Sequence, residues 1–109
     1  MMNQVILVGR LTKEPEIIML NSGKKVLNIL LAVTRPYKNE EGSYETDFID
    51  CELWNNVADT TSEYCHKGDL IGVKGKIKTD YYEKEDETRK VMSVVAERIT
   101  FLTSSHAAA

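Results

Sequence analysis

Residues 46–54, TDFIDCELW, alternate between two characters. In an extended strand, neighbouring side chains point to opposite faces. Ile49, Cys51 and Leu53 therefore share an apolar face suited to a core. Phe48, Asp50, Glu52 and Trp54 share the other, where two carboxylates make burial expensive. The chain's only Trp and one of its two Phe thus fall on the wet side.

The same pattern organises the rest of the chain. Val5 to Val8 are apolar at every position, as in a strand covered on both faces. Gly9 interrupts that run and marks a bulge or a close backbone approach. Asn21, Ser22 and Gly23 punctuate a turn. Residues 26–38, VLNILLAVTRPYK, form a second long strand whose regular pairing ends at Pro36. A polar, Gly-containing loop then leads into the strand at 46–54. Over 56–67 the period changes: Val57, Ala58, Thr61, Tyr64 and Cys65 recur at spacings of three and four. That predicts one short amphipathic helix, capped by Asn55 or Asn56 and stopped at Gly68. Residues 69–84 and 91–102 read as two further strands joined by the charged loop 83–90, EKEDETRK.

Strand, strand, strand, helix, strand, strand, with glycines where strands must bend, predicts an all-β domain over 1–102. Its form is a five-stranded OB-fold Greek-key barrel with one short helix between strands three and four. A sandwich would need more strands. Residues 103–109 carry no core-forming pattern and are expected to be a disordered tail.

Composition narrows the picture. A chain of 109 residues suffices for a single core. A net charge of −3 argues against coating nucleic acid through bulk positive charge and leaves room for a local basic stripe. No apolar run approaches the roughly 20 residues of a membrane span, and no leader pattern opens the chain, which places it in the cytoplasm. Cys51 and Cys65 make neither a disulfide framework nor a Cys-x-x-Cys site, and read as reduced core residues.

Candidate chemistry follows from alternation on the fourth strand. Lys74, Lys76, Lys78, Asp80, Tyr82 and Lys84 share one face there. Lysines so placed can simply keep a strand soluble. The second strand, however, ends with Arg35, Tyr37 and Lys38 projecting beyond its ladder. Four rings, Tyr37, Phe48, Trp54 and Tyr82, each sit beside polar neighbours. Lysines to follow a phosphate backbone, with flat rings to stack bases, are the design of a groove for single-stranded nucleic acid. Phe48 and Trp54, six residues apart, lie roughly 20 Å apart along a strand, enough to stack different bases. Asp50 and Glu52 between them repel phosphate, so the nucleic-acid backbone must avoid that line or be drawn to neighbouring lysines. An alternative is that Asp47, Asp50 and Glu52 bind a divalent metal for phosphodiester cleavage. Against it, the chain has two histidines, one of them in the tail, and no P-loop, HExxH or Gly-x-Ser-x-Gly motif. No catalytic residue, metal or cofactor is expected.

Four segments carry a resemblance: VILVGRLTKEPE, ETDFIDCELW, YCHKGDLIGVKGKIKTDYY and VVAERITFL. In order and spacing they resemble the bacterial and phage single-stranded-DNA-binding protein family over about residues 1–102. The resemblance implies an OB-fold subunit of a homotetramer, binding single-stranded DNA without sequence preference during replication, recombination and repair. It implies base stacking by Tyr37, Phe48, Trp54 and Tyr82, and phosphate contacts by Lys67 and Lys78. Arg35, Lys38, Lys74 and Lys76 join the phosphate set from the stripe alone. Asp50 and Asp80 stand where members often carry a basic residue, and Phe48 and Tyr82 where Trp is common. The flexible Gly- and Gln-rich linker and acidic tip through which the family usually recruits repair and replication enzymes have no counterpart in this sequence, so no such recruitment is implied.

Pairing of subunits is expected through residues 3–8, where the first strand has more apolar surface than one core absorbs. Two other functions remain open at this point. One is an OB-fold protein-interaction module of the primosome type, with the aromatics as its interface. The other is a cold-shock-like RNA binder.

Overall fold

The computed structural model describes residues 1–103. Its long strands are β1 (Val5–Leu11), β3 (Lys25–Lys38), β4 (Tyr44–Trp54), β5 (Leu70–Lys84) and β6 (Glu87–Thr103). A two-residue strand, β2 (Ile18–Met19), and one helix, α1 (Asn55–Tyr64), complete the set. The neighbour order is β1-β5-β6-β4-β3-β2, and β1 also pairs with β3, so the five long strands close into a barrel. This is the OB-fold arrangement. All pairings are antiparallel except that of β4 with β6. Two of the pairings among the long strands are short: Arg10 and Leu11 meet Ala32 and Leu31, while Cys51 and Glu52 meet Val94 and Val95.

Alternation decides what fills the barrel. Leu27, Ile29 and Leu31 of β3 face inward with Cys51 and Leu53 of β4. Ile71 and Val73 of β5 and Val94 and Ala96 of β6 meet them. Each Leu, Ile or Val among them contributes about 1.5–3 kcal/mol when fully buried. Ala58 of α1, packed among β3, β4 and β6, and Cys65 just beyond the helix join the same cluster. Ile49 packs against it half-buried. The inward trio read from the opening pattern is the trio observed.

Gly9 lies where β1 turns toward β3. A Cβ there would collide with the Ala32 carbonyl oxygen and the Leu31 side chain. The interruption in the apolar run is thus a close backbone approach at the closing seam. The same strand departs from expectation in its burial. Val5 and Leu7 are half-buried, but Ile6 is 71% and Val8 51% exposed, so one face of β1 is uncovered in a single chain.

Several boundaries differ from the sequence reading. The helix starts at Asn55 and ends at Tyr64 rather than spanning 56–67. No side chain caps its start: Asn55 takes φ +51, and its Oδ1 accepts instead from the Lys25 backbone N–H. Gly68 does not stop it either. Cys65 is already extended, and residues 66–69 are held against β1, with Gly68 N–H on Leu11 O and Leu11 N–H on Asp69 O. The charged stretch 83–90 is ladder for most of its length. β5 and β6 stay paired to Lys84 and Glu87, and the turn is only Glu85 and Asp86, both at positive φ. Two residues at positive φ are the hairpin turn whose twist suits antiparallel strands. β2, short and exposed, pairs with Val26 and Lys25 at the margin of β3 and leaves no periodicity to read. β6 runs through Thr103, and the rest of the expected tail, 104–109, lies outside the described residues.

Gly9→Ala should lower unfolding stability by about 1–3 kcal/mol, the range for forcing atoms into a packed site. Gly72→Ala, whose Cβ would meet its nearest neighbour at an ordinary 3.6 Å, should stay close to the parent. Urea unfolding of both variants checks the contrast; equal effects would remove the close approach as the reason for Gly9.

Candidate nucleic-acid interface

The outer face of β4 carries Phe48, Asp50, Glu52 and Trp54, opposite Ala32, Leu30, Asn28 and Val26 of β3. Phe48 is 60% exposed and Trp54 half-buried, so alternation assigned this face correctly. β4 and β6 pair only at Cys51–Val94 and Glu52–Val95. Beside that seam, Phe48, Ile49 and Asp50 and Met92, Ser93 and Val94 line a cleft of about 390 Å³, together with Val5, Leu7 and Ile77. The β3–β4 and β5–β6 hairpins continue outward from there. Tyr37 is exposed on the first, within the irregular pairing between Thr34 and Lys38 that surrounds Pro36. Tyr82 is exposed on the second, opposite Arg89. All four sequence-selected rings therefore reach the surface, distributed over the β4 face and the two arms.

The cations are less uniform. Arg35 is already engaged: its Nε and Nη2 donate to Asp47 at 3.0 Å each, and Nη1 to Glu45 at 2.6 Å. The hydrogen bond to Asp47, reinforced by the charges of Asp47 and Glu45, raises the Arg35 pKa further, and the same bond lowers that of Asp47. A phosphate would have to share this guanidinium with two carboxylates. Lys38 lies over the Tyr44 ring at 5.8 Å, a cation–π pair that also reveals Tyr44 as a further exposed ring on the first hairpin. The Lys67 backbone N–H donates to Glu14 Oε1 at 3.0 Å, which sets Lys67 beside the loop after β1.

The lysine stripe on β5 divides along its length. Lys74 stands opposite Ile6 of β1 and Arg98 of β6 and lines a cleft with Asn3, Gln4 and Glu97. A register shift follows between Lys74 and Gly75. Lys76 then stands opposite Val95, itself the partner of Glu52. Lys78 reaches the β4 face directly, with Nζ 3.0 Å from Glu52 Oε1 and 3.3 Å from Asp80 Oδ2. Hydrogen bonding to Glu52 leads the causes that raise its pKa. Glu52 also accepts from Trp54 Nε1–H at 3.2 Å and from Ser93 Oγ at 3.1 Å. Sequence reasoning marked Glu52 as an awkward charge or a metal ligand and passed over Ser93. The signal was there in the even spacing of Glu52 and Trp54, but the cross-strand partner needed the parallel register of β4 and β6.

The metal alternative finds no geometry. Asp47 is bound to Arg35 and Glu52 to Lys78, and among the described residues no three His, Cys, Asp or Glu side chains converge on a possible ion. No helix among the described residues is long and apolar enough to cross a membrane. Cys51 and Cys65 are both buried, and burial, with the nearby charges of Asp50 and Asp69 respectively, pushes each thiol up to about 11. Neither thiol should therefore react with a disulfide reagent at pH 8 until the barrel unfolds. Thiol titration in buffer and in denaturant checks this, and rapid labelling of the native protein would contradict the packing described.

The comparisons with known proteins agree with one another. A model of the single-strand binding protein family matches residues 2–102. Single-stranded DNA-binding protein B of Bacillus subtilis is 44% identical over 103 residues, covering 94% of this chain and 91% of that relative. Single-stranded DNA-binding protein 3 of Listeria innocua is 46% identical over 105 residues, covering 95% of this chain and 66% of that one. The single-stranded DNA-binding protein of Oceanobacillus iheyensis is 42% identical over 103 residues, covering 94% of this chain and 64% of that one. This chain thus spans nearly the whole of one relative and about two thirds of the others. With a closed five-stranded barrel, exposed rings on its outer face and a family match over nearly its full length, the chain belongs to the single-strand binding protein family.

Proposed function

We propose that this protein binds single-stranded DNA without sequence preference and shields exposed strands during replication, recombination and repair in the cytoplasm. The role is binding, with no catalytic step. The observation that carries the reading is the division of β4: Cys51 and Leu53 fill the core while Phe48 and Trp54 stand outside. Rings left to water in this way gain by stacking on bases, and every base offers a π-face, so stacking is sequence-tolerant. Tyr37 and Tyr82 extend the stacking surface onto the two hairpins. Lys78, Lys76, Lys38, Lys67, Lys74 and the carboxylate-shared Arg35 supply the phosphate contacts. Because the whole chain carries −3, attraction is local and depends on where the lysines lie.

Assembly into a homo-oligomer, dimer to tetramer, is part of the same proposal. The exposed face of β1 carries Ile6 and Val8. Along residues 5–9 β1 pairs with β5, whereas its pairing with β3 is confined to Arg10 and Leu11. The other edge of residues 5–9 is therefore open to a second copy through residues 3–8. Nucleic acid crossing several subunits would gain avidity that one acidic domain lacks.

Trp54→Ala should weaken binding to oligo(dT) by about 1–3 kcal/mol, the range typical of one base–aromatic stack in single-strand binders of this fold. Anisotropy of a labelled oligonucleotide measures the loss, with thermal unfolding as the control. Unchanged affinity with a large drop in stability would make Trp54 a structural residue. Sedimentation equilibrium at micromolar concentration should give an oligomer that Ile6→Glu dissociates. A monomeric parent that still binds tightly would refute the assembly.

A further inference from the structure

The centre of the candidate face is occupied by a carboxylate, which is unexpected for a surface that meets phosphates. Glu52 is only 17% exposed, and each of its oxygens is engaged. Oε1 takes Lys78 Nζ at 3.0 Å and Trp54 Nε1–H at 3.2 Å, and Oε2 takes Ser93 Oγ–H at 3.1 Å. One side chain thus ties together a cation and a ring assigned to binding, across β4, β5 and β6. The arrangement is asymmetric. If Lys78 leaves, Glu52 keeps its two neutral donors, Trp54 and Ser93, and is not abandoned as a bare buried charge. Lys78, for its part, has a second carboxylate, Asp80, at 3.3 Å. The cation can move while the carboxylate stays anchored.

We propose that Glu52 is an internal competitor for the phosphate backbone, a positioning residue that holds Lys78 in the unbound protein and must surrender it when nucleic acid arrives. This rests on the single-strand-binding reading above and adds to it a determinant of affinity and salt response. The apparent contribution of Lys78 is its phosphate contact less the ion pair it gives up. Lys78 therefore acts below its full strength, and substituting it in the parent removes little. Asp50, on the same face, has no such hold on Lys78 and serves as the internal comparison, because it repels phosphate without capturing the cation.

The test is a double-substitution cycle with oligo(dT), followed over a series of salt concentrations. Glu52→Gln keeps an oxygen for the Trp54 indole and turns its amide N–H toward Ser93 Oγ, which then accepts, while removing the charge that holds Lys78. It should bind about fivefold tighter at low salt, the upper range for a partly exposed ion pair. Its log–log salt dependence should steepen by up to roughly 0.7, the value of one phosphate contact on a single strand. Lys78→Ala should then cost more in the Glu52→Gln background than in the parent. Asp50→Asn should leave the cost of Lys78→Ala as it is in the parent. An equal cost of Lys78→Ala in the parent and in Glu52→Gln would overturn the proposal, reducing Glu52 to general repulsion. Weaker binding by Glu52→Gln, with unfolding stability unchanged, would overturn it as well. A parent that binds no oligo(dT) would bring down the functional reading together with this one, whereas binding with no coupling brings down this one alone.

Discussion

The meeting of β4 with β6 is the constraint on which the rest of the molecule depends. These two strands run parallel and pair as a ladder through Cys51–Val94 and Glu52–Val95 only. Inside the seam, Cys51 and Val94 are buried and join the core. Outside it, Glu52 accepts a hydrogen bond from Ser93 and an ion pair from Lys78 of the strand beyond. Parallel pairing requires a long crossover, and α1 with its following loop supplies part of it while packing on the core through Ala58. Because the seam is so short, β4 and β6 separate next to it, and each continues as one half of a long hairpin. The ring-bearing arms are a consequence of closing a small barrel with strands longer than the closure needs.

Charge is balanced locally both on the β3–β4 hairpin and beside the seam. Arg35 is bound by Asp47 and Glu45, and Lys78 by Glu52 and Asp80. The exposed pairs of Arg35 with Asp47 and Glu45 add little to stability. Their larger effect falls on any anion that approaches, since it competes with a carboxylate already in place. In the proposed binding mode, a protein of net charge −3 with exposed rings and with Arg35 and Lys78 paired would rely on stacking for much of its grip, and on phosphate contacts that become available as those pairs open.

Much of this was legible in the sequence because the physics behind it is local. Alternation over 46–54 separates Cys51 and Leu53 from Phe48 and Trp54 without reference to any other strand. The same rule brings Lys74, Lys76 and Lys78 onto one side, and β5 keeps that alternation past the register shift, whose extra residue, Glu97, lies on β6. The helix ends early because Gly68 and Asp69 bond to Leu11, a contact no local pattern reports. Glu85 and Asp86 adopt positive φ without glycine, so the tight turn hides in a charged run. Val5 to Val8 look doubly buried because apolar residues destined for a core and for an uncovered face are written alike. Glu52 is the clearest case: its neighbours come from β5 and β6, and only the closed barrel brings Lys78 and Ser93 to it.

In the proposed binding mode, bases cover the aromatic face of β4. Trp54 is the only tryptophan, so its fluorescence reports on that face alone. Titrating the unmodified protein with oligo(dT) should quench this emission and saturate at a defined stoichiometry, with oligo(dA) and oligo(dC) behaving alike. Emission that stays constant while the oligonucleotide demonstrably binds would place the nucleic acid elsewhere on the barrel and rule out that mode.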